Sequence, residues 1–171
     1  MAAGDHQPPP RPAGLVVRPL TSRDSEDISG WQYDGPWRIY DSSPEGAITA
    51  ESGYQAVADS ATGALVGYIC LGAEARVPGL GAEPGILDVG AGMRPDLVGS
   101  RIGTEFGAIV LGHIAALAGE ARLRAVVQSW NERSLRLCAG LGFHAVGTHT
   151  CVQDGQEVSY VVLTTDGQAA P

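Results

Sequence analysis

A chain of 171 residues with 44% hydrophobic side chains can bury the core of one domain, and its net charge of −8 disfavours a nucleic-acid backbone as partner. Every basic side chain counted as Lys or Arg is Arg, which excludes both a Schiff-base lysine and the lysine of a phosphate-binding P-loop. Cys70, Cys138 and Cys151 form no CxxC pair, no apolar run approaches the roughly 20 residues of a membrane span, and MAAGDHQPPPRP lacks a signal-peptide core, so a reduced, cytoplasmic protein without membrane partners is expected.

Composition predicts a flexible Pro-rich tail over 1–13, a single folded domain over 14–166 and a short tail over 167–171. Leu15-Val-Val-Arg-Pro-Leu20 reads as a first strand. Thr21 or Ser22, followed by acidic residues, opens a helix over Ser22 to Trp31. Trp31, Tyr33, Trp37 and Tyr40 come next, broken by Gly35-Pro36 into a loop or short turns. Rings of this size usually bury as core or lid packing, and the sharper alternative is the wall of an acceptor pocket. Tyr54 to Asp59 and Ala64 to Leu71 are strand-like and joined by Ser60-Ala-Thr-Gly63, which predicts an antiparallel hairpin.

A Pro- and Gly-rich loop over 74–85 leads to a strand over Ile86 to Met93, where Gly90 and Gly92 suggest a bulge or something approaching the backbone closely. Ile102, Phe106, Ile109, Val110, Ile114 and Leu117 fall at helical spacing, with Gly119 as a stop. A strand over Leu123 to Val127, a helix over Glu132 to Gly140, and strands over Phe143 to Thr148 and Val158 to Leu163 complete the chain. Hairpin-ordered strands followed by strand–helix alternation predict a mixed sheet packed against helices. His144, His149 and Cys151 show no fourth ligand, so no metal is expected.

Two segments carry chemistry. Gly92-Met-Arg-Pro-Asp-Leu-Val-Gly-Ser-Arg-Ile-Gly-Thr104 runs from a strand end through a glycine loop into the long helix, whose unpaired N–H groups and positive dipole end can hold a pyrophosphate without lysine. A purely structural turn is the alternative. In Asn131-Glu-Arg-Ser-Leu-Arg-Leu-Cys138, the residues Asn131, Ser134, Leu135 and Cys138 share one helix face. Asn131 reads either as a ligand contact or as an N-cap.

Asp88-Val-Gly-Ala-Gly-Met93, Pro95 to Gly103, and Asn131-x-x-Ser134 through Gly142-Phe143 occur in the order and on the element types of the GNAT superfamily of N-acetyltransferases, which the chain resembles over about residues 15 to 164. The resemblance implies a mixed α/β fold, with a mostly antiparallel central sheet of about seven strands flanked by helices. It implies acetyl-CoA as co-substrate, with Gly92 and Met93 pairing with pantetheine and Val98, Gly99, Ser100, Arg101, Ile102, Gly103 and Thr104 cradling the pyrophosphate. Asn131 and Ser134 would line the far side. The family's loop anchors are Gln or Arg, then Gly, then Gly or Ala; here Val98, Arg101 and Gly103 stand there, and only the last matches.

The activity so implied is transfer of an acetyl group to a primary amine, either of a small molecule or of a protein N-terminus; an acyl-CoA-binding module without chemistry is the alternative. Such a transfer needs a base for the ammonium and an acid for the thiolate. Asp88, on the fourth strand, is the candidate base, or else a structural carboxylate paired with an Arg. Cys138 stands where relatives often carry a tyrosine acid, and reads as that acid or as a small core residue. The acceptor would be chosen by the segment 31–45, with Trp31, Tyr33, Trp37 and Tyr40, and by the loop 74–85. A homodimer is possible, with no residue to support it.

Overall fold

A computed structural model describes residues 10–41 and 46–167. The chain forms β1 (Leu15–Pro19), α1 (Ser22–Ser29), β2 (Gln55–Asp59), β3 (Leu65–Leu71), β4 (Ile86–Met93), α2 (Gly103–Ala118), β5 (Arg122–Gln128), α3 (Glu132–Gly140), β6 (Phe143–Gln153) and β7 (Gln156–Thr165). The strands make one seven-stranded sheet in the order β1-β2-β3-β4-β5-β7-β6. Every neighbouring pair is antiparallel except β4 with β5. The expected mixed, mostly antiparallel sheet with flanking helices is thus the observed architecture.

Local chemistry sets the element ends. Thr21 and Asp24 form a capping box at the start of α1, and Arg18 holds the same Asp24 carboxylate at 2.6 Å. The hydrogen bonds from Arg18, foremost, keep that carboxyl depressed at about 2. α1 stops at Ser29, short of the expected Trp31, because Trp31 leaves the helix to pack with Leu20, Ile28, Ala56 and Leu65 in a cluster of its own. β6 and β7 run well beyond the expected Thr148 and Val158. Asp154 (φ 49°) and Gly155 (φ 75°) close them into a two-residue hairpin with Gln153 opposite Gln156.

The main core lies between α2 and the sheet. Phe106, Val110 and Ile114 recur at helical spacing and pack with Val57, Ile69, Val89, Leu123 and Leu163. The helix comes this close because β3 has glycine at position 67, where a Cβ would stand 2.5 Å from the Phe106 ring. Among the described residues no helix is long and apolar enough to cross a membrane.

Candidate active site

The one parallel pair is short. β4 and β5 are in register at Ile86↔Arg122, Leu87↔Leu123 and Asp88↔Arg124, and beyond that rung they diverge. β4 continues to pair with β3 as far as Met93↔Gly67, while β5 continues with β7 as far as Gln128↔Tyr160. Each strand therefore stays anchored on one side and opens on the other. A cavity of about 680 Å³ lies in the opening, lined by Val89 to Met93 of β4 and Ala125 to Val127 of β5. The β4 edge that faces it carries backbone groups without a strand partner, which an extended ligand can pair with.

The loop between β4 and α2 forms another wall. Gly99 (φ 84°) and Arg101 (φ 68°) both take the left-handed conformation, natural for the first and unusual for the second. α2 then begins at Gly103 without a side-chain cap, so its first amides lack acceptors where Val98, Gly99, Arg101, Gly103 and Thr104 line the cavity. An uncapped helix start beside an exposed guanidinium suits a phosphate group. Ser100 and Ile102, expected in the same role, do not line it. The Ser100 hydroxyl donates to the Leu97 carbonyl at 2.6 Å, and Ile102 is sealed in the core.

α3 closes the far side with Asn131, Ser134 and Cys138. The N-cap reading of Asn131 is observed, since its Oδ1 accepts from the Ser134 amide at 3.2 Å, while its Nδ2 donates to the Tyr40 phenol oxygen at 3.1 Å. Burial pushes the Cys138 thiol up, keeping it protonated. Tyr33, Trp37 and Tyr40 line the cavity. Tyr33 donates to the Met93 carbonyl at 2.8 Å, and Trp37 meets Trp130 edge-on with the Arg133 guanidinium 4.7 Å above its ring. Burial raises the phenols of Tyr33 and Tyr40.

Other residues expected at the site stand apart from the cavity. Trp31 does not line the cavity; it is 6% exposed and belongs to the α1 cluster. The loop 74–85 lies away from the cavity too, and residues 42–45 of the other acceptor segment lie outside the described residues. Asp88 is 3% exposed and absent from the cavity wall. Its Oδ1 accepts from Arg124 Nε at 2.6 Å, its Oδ2 from Arg124 Nη2 at 3.1 Å, and Arg76 stands 3.5 Å away. That is the geometry of the structural carboxylate, placed at the last rung before the strands part.

Sequence reasoning missed Tyr68 and Arg133, which also line the cavity. Tyr68 lies on β3 directly opposite Gly92, and the close approach that Gly92 suggested is by its ring: a Cβ on Gly92 would stand 2.5 Å from the phenol oxygen.

A mixed sheet split along its one parallel pair, with an uncapped helix start at the split, is the fold of the class of protein that the motifs resembled. The chain belongs to the GNAT acetyltransferase family: the family model described as "Acetyltransferase (GNAT) domain" matches residues 15–144. Solved structures agree on the fold. A GNAT-family acetyltransferase from Bacillus anthracis is similar at 17% identity and TM-score 0.66, over 90% of this chain and 95% of that one. A spermidine N-acetyltransferase chimera from Vibrio cholerae and hSSAT gives 14% and 0.67, over 90% and 95%. A phosphinothricin acetyltransferase from Sinorhizobium meliloti in complex with AcCoA gives 18% and 0.60, over 92% of each. No curated protein sequence matches the chain.

Proposed function

We propose that this chain transfers the acetyl group of acetyl-CoA to a primary amine, of a small molecule or a protein N-terminus, by direct attack. The observation that carries this reading is the parting of β4 and β5 after Asp88↔Arg124, which opens a strand edge leading to the uncapped start of α2. These residues fit the co-substrate. The backbone groups that Val89 to Met93 present on the β5-facing edge of β4, other than the Met93 carbonyl held by Tyr33, suit the amide-bearing pantetheine arm, and the first amides of α2 with Arg101 suit its diphosphate. Bound there, acetyl-CoA supplies the thioester carbonyl that an amine attacks.

The chain's own part is positioning and charge. A backbone N–H of the β4 end is the natural donor to the developing oxyanion. Tyr33 holds the Met93 carbonyl and so fixes the peptide plane at that end. Tyr33, Trp37 and Tyr40 offer ring faces and edges to the acceptor. Asp88, with its oxygens occupied by arginines, keeps the vertex of the split and takes no proton in this reading.

Calorimetry with acetyl-CoA, followed by thiol release over a panel of small amines and N-terminal peptides, tests the reading. Saturable binding and amine-dependent release are expected. Binding without release under any amine would make the chain an acyl-CoA-binding module, and no binding would remove the reading altogether.

A further inference from the structure

Acyl transfer from a thioester leaves a thiolate that needs a proton, and the position from which relatives often supply it is Cys138 here. The cavity wall offers phenols whose commitments differ. The Tyr33 O–H is spent on the Met93 carbonyl at 2.8 Å. The Tyr40 oxygen accepts from Asn131 at 3.1 Å, which ties it to the α3 side among the rings of Tyr33 and Trp130 without spending its own O–H. Tyr68 also lines the cavity, and among the described residues its hydroxyl has no hydrogen-bond partner.

Its ring, in contrast, is fixed. Trp31 stacks on it with centroids 6.0 Å apart, Tyr54 meets it edge-on at 5.8 Å, and its underside rests on Gly92, where any side chain would collide with it. The cross-strand register Tyr68↔Gly92 places the phenol over the length of β4 whose opposite edge is open to the cavity. A rigid ring with an uncommitted hydroxyl above the reacting edge is a different thing from a core tyrosine, which satisfies its O–H when buried.

We propose that Tyr68 is the catalytic acid of the transfer, giving its phenol proton to the departing sulfur. This rests on the function proposed above. As the amine nitrogen bonds to the thioester carbon and the C–S bond breaks, the electron pair stays on sulfur. The Tyr68 proton then passes to that sulfur, releasing free thiol. The phenolate regains a proton from the one the amine has lost, through solvent, so the cycle closes without any further reagent. Burial, the main cause, pushes the Tyr68 phenol up to about 12, so the donor form is the populated one throughout the neutral range.

Tyr68→Phe preserves the ring, its stacking and its fit on Gly92, and its melting curve reports whether the fold is intact. The expected result is a fall in kcat of about 100-fold, with the acetyl-CoA KM changed less than about threefold, as for loss of a positioned acid. A more acidic fluorinated tyrosine built in at position 68 should bring a new alkaline fall in kcat into the accessible pH range, which a packing role would not do. A full rate in Tyr68→Phe, or no such alkaline fall, overturns the assignment while leaving the acetyltransferase reading in place. A 100-fold loss in Cys138→Ala with none in Tyr68→Phe would give the proton to the thiol instead. A wild-type chain that binds acetyl-CoA but acetylates nothing in the amine panel would sink both readings.

Discussion

Replacing Asp88 by Asn tests whether the carboxylate at the vertex holds the fold or does chemistry. In the wild-type chain Asp88 and Arg124 are each 4% exposed at the side chain and joined through two hydrogen bonds, so the substitution leaves a guanidinium buried against a neutral amide. Removing one partner of a buried pair costs about 3–5 kcal/mol. The lower end applies, because Arg124 keeps the Gly81 carbonyl at 2.6 Å and the exposed Glu83 at 3.3 Å. A loss of about 3 kcal/mol in a domain of this size lowers Tm by roughly 6–12 °C. Replacing both partners together, as Asp88→Leu with Arg124→Met, should recover most of that loss, since the desolvation of two charges disappears with them. Thermal melts of the single and double variants, alongside kcat against pH at saturating acetyl-CoA, separate the two roles. If Asp88→Asn melts with the wild type yet loses about 100-fold in kcat near neutral pH, recovering as pH rises and the amine deprotonates by itself, Asp88 is the base and the vertex assignment is wrong.

Arg101→Gly should leave the loop in place, since glycine accepts the left-handed φ of 68°, and raise the acetyl-CoA Kd about tenfold by calorimetry through loss of a charge-assisted contact. Unchanged affinity would take Arg101 out of the diphosphate site. Asp24, held at about 2 in the folded chain against about 3.9 when unfolded, contributes stability fully present above pH 4 and lost as pH falls toward 2. Tm measured from pH 6 to pH 2 should therefore show Asp24→Asn below wild type at pH 6, with the gap narrowing below pH 4. Gly67→Ala should cost about 1–3 kcal/mol by pressing on both the Gly92 carbonyl of β4 and the Phe106 ring of α2, read as a lower urea midpoint.

Much of the scaffold was legible because its signals are local. β4 and α3 fall on the expected residues, Ile86–Met93 and Glu132–Gly140, since each is a periodic run closed by a clear boundary. β6 was read too short because His149, Thr150 and Cys151 dilute its apolar pattern; the Asp154-Gly155 dipeptide, a strong hairpin signal, would have given its true end. The strands' pairing was the part that no local pattern carries. Without the register Asp88↔Arg124 the carboxylate looks free to act as a base, and without Tyr68↔Gly92 the tyrosine looks like any other strand residue. Trp31 was misplaced for a related reason: its neighbours Tyr33, Trp37 and Tyr40 share its chemistry, and only the end of α1 decides which ring turns inward.

The glycines of β4 make sense once its two edges are considered separately. Gly90 and Gly92 should weaken a strand, yet β4 is paired with β3 along Val89 to Met93, so its conformation does not depend on β5. That frees the β5-facing edge to open. On the face shared by positions 88, 90 and 92, the missing side chains let Cys70 and Tyr68 of β3 lie against the strand: a Cβ at Gly90 would stand 2.9 Å from the Cys70 sulfur. Asp88, the next position on that face, meets Arg124 across the last parallel rung. One face of one strand thus runs from a charged bolt that sets where the sheet splits, through two glycines, to a phenol at the open end. Enlarging either glycine should therefore move the β3 side chain over it before it disturbs the split, so that Gly92→Ala lowers kcat by displacing Tyr68 while Asp88 and Arg124 keep the vertex closed.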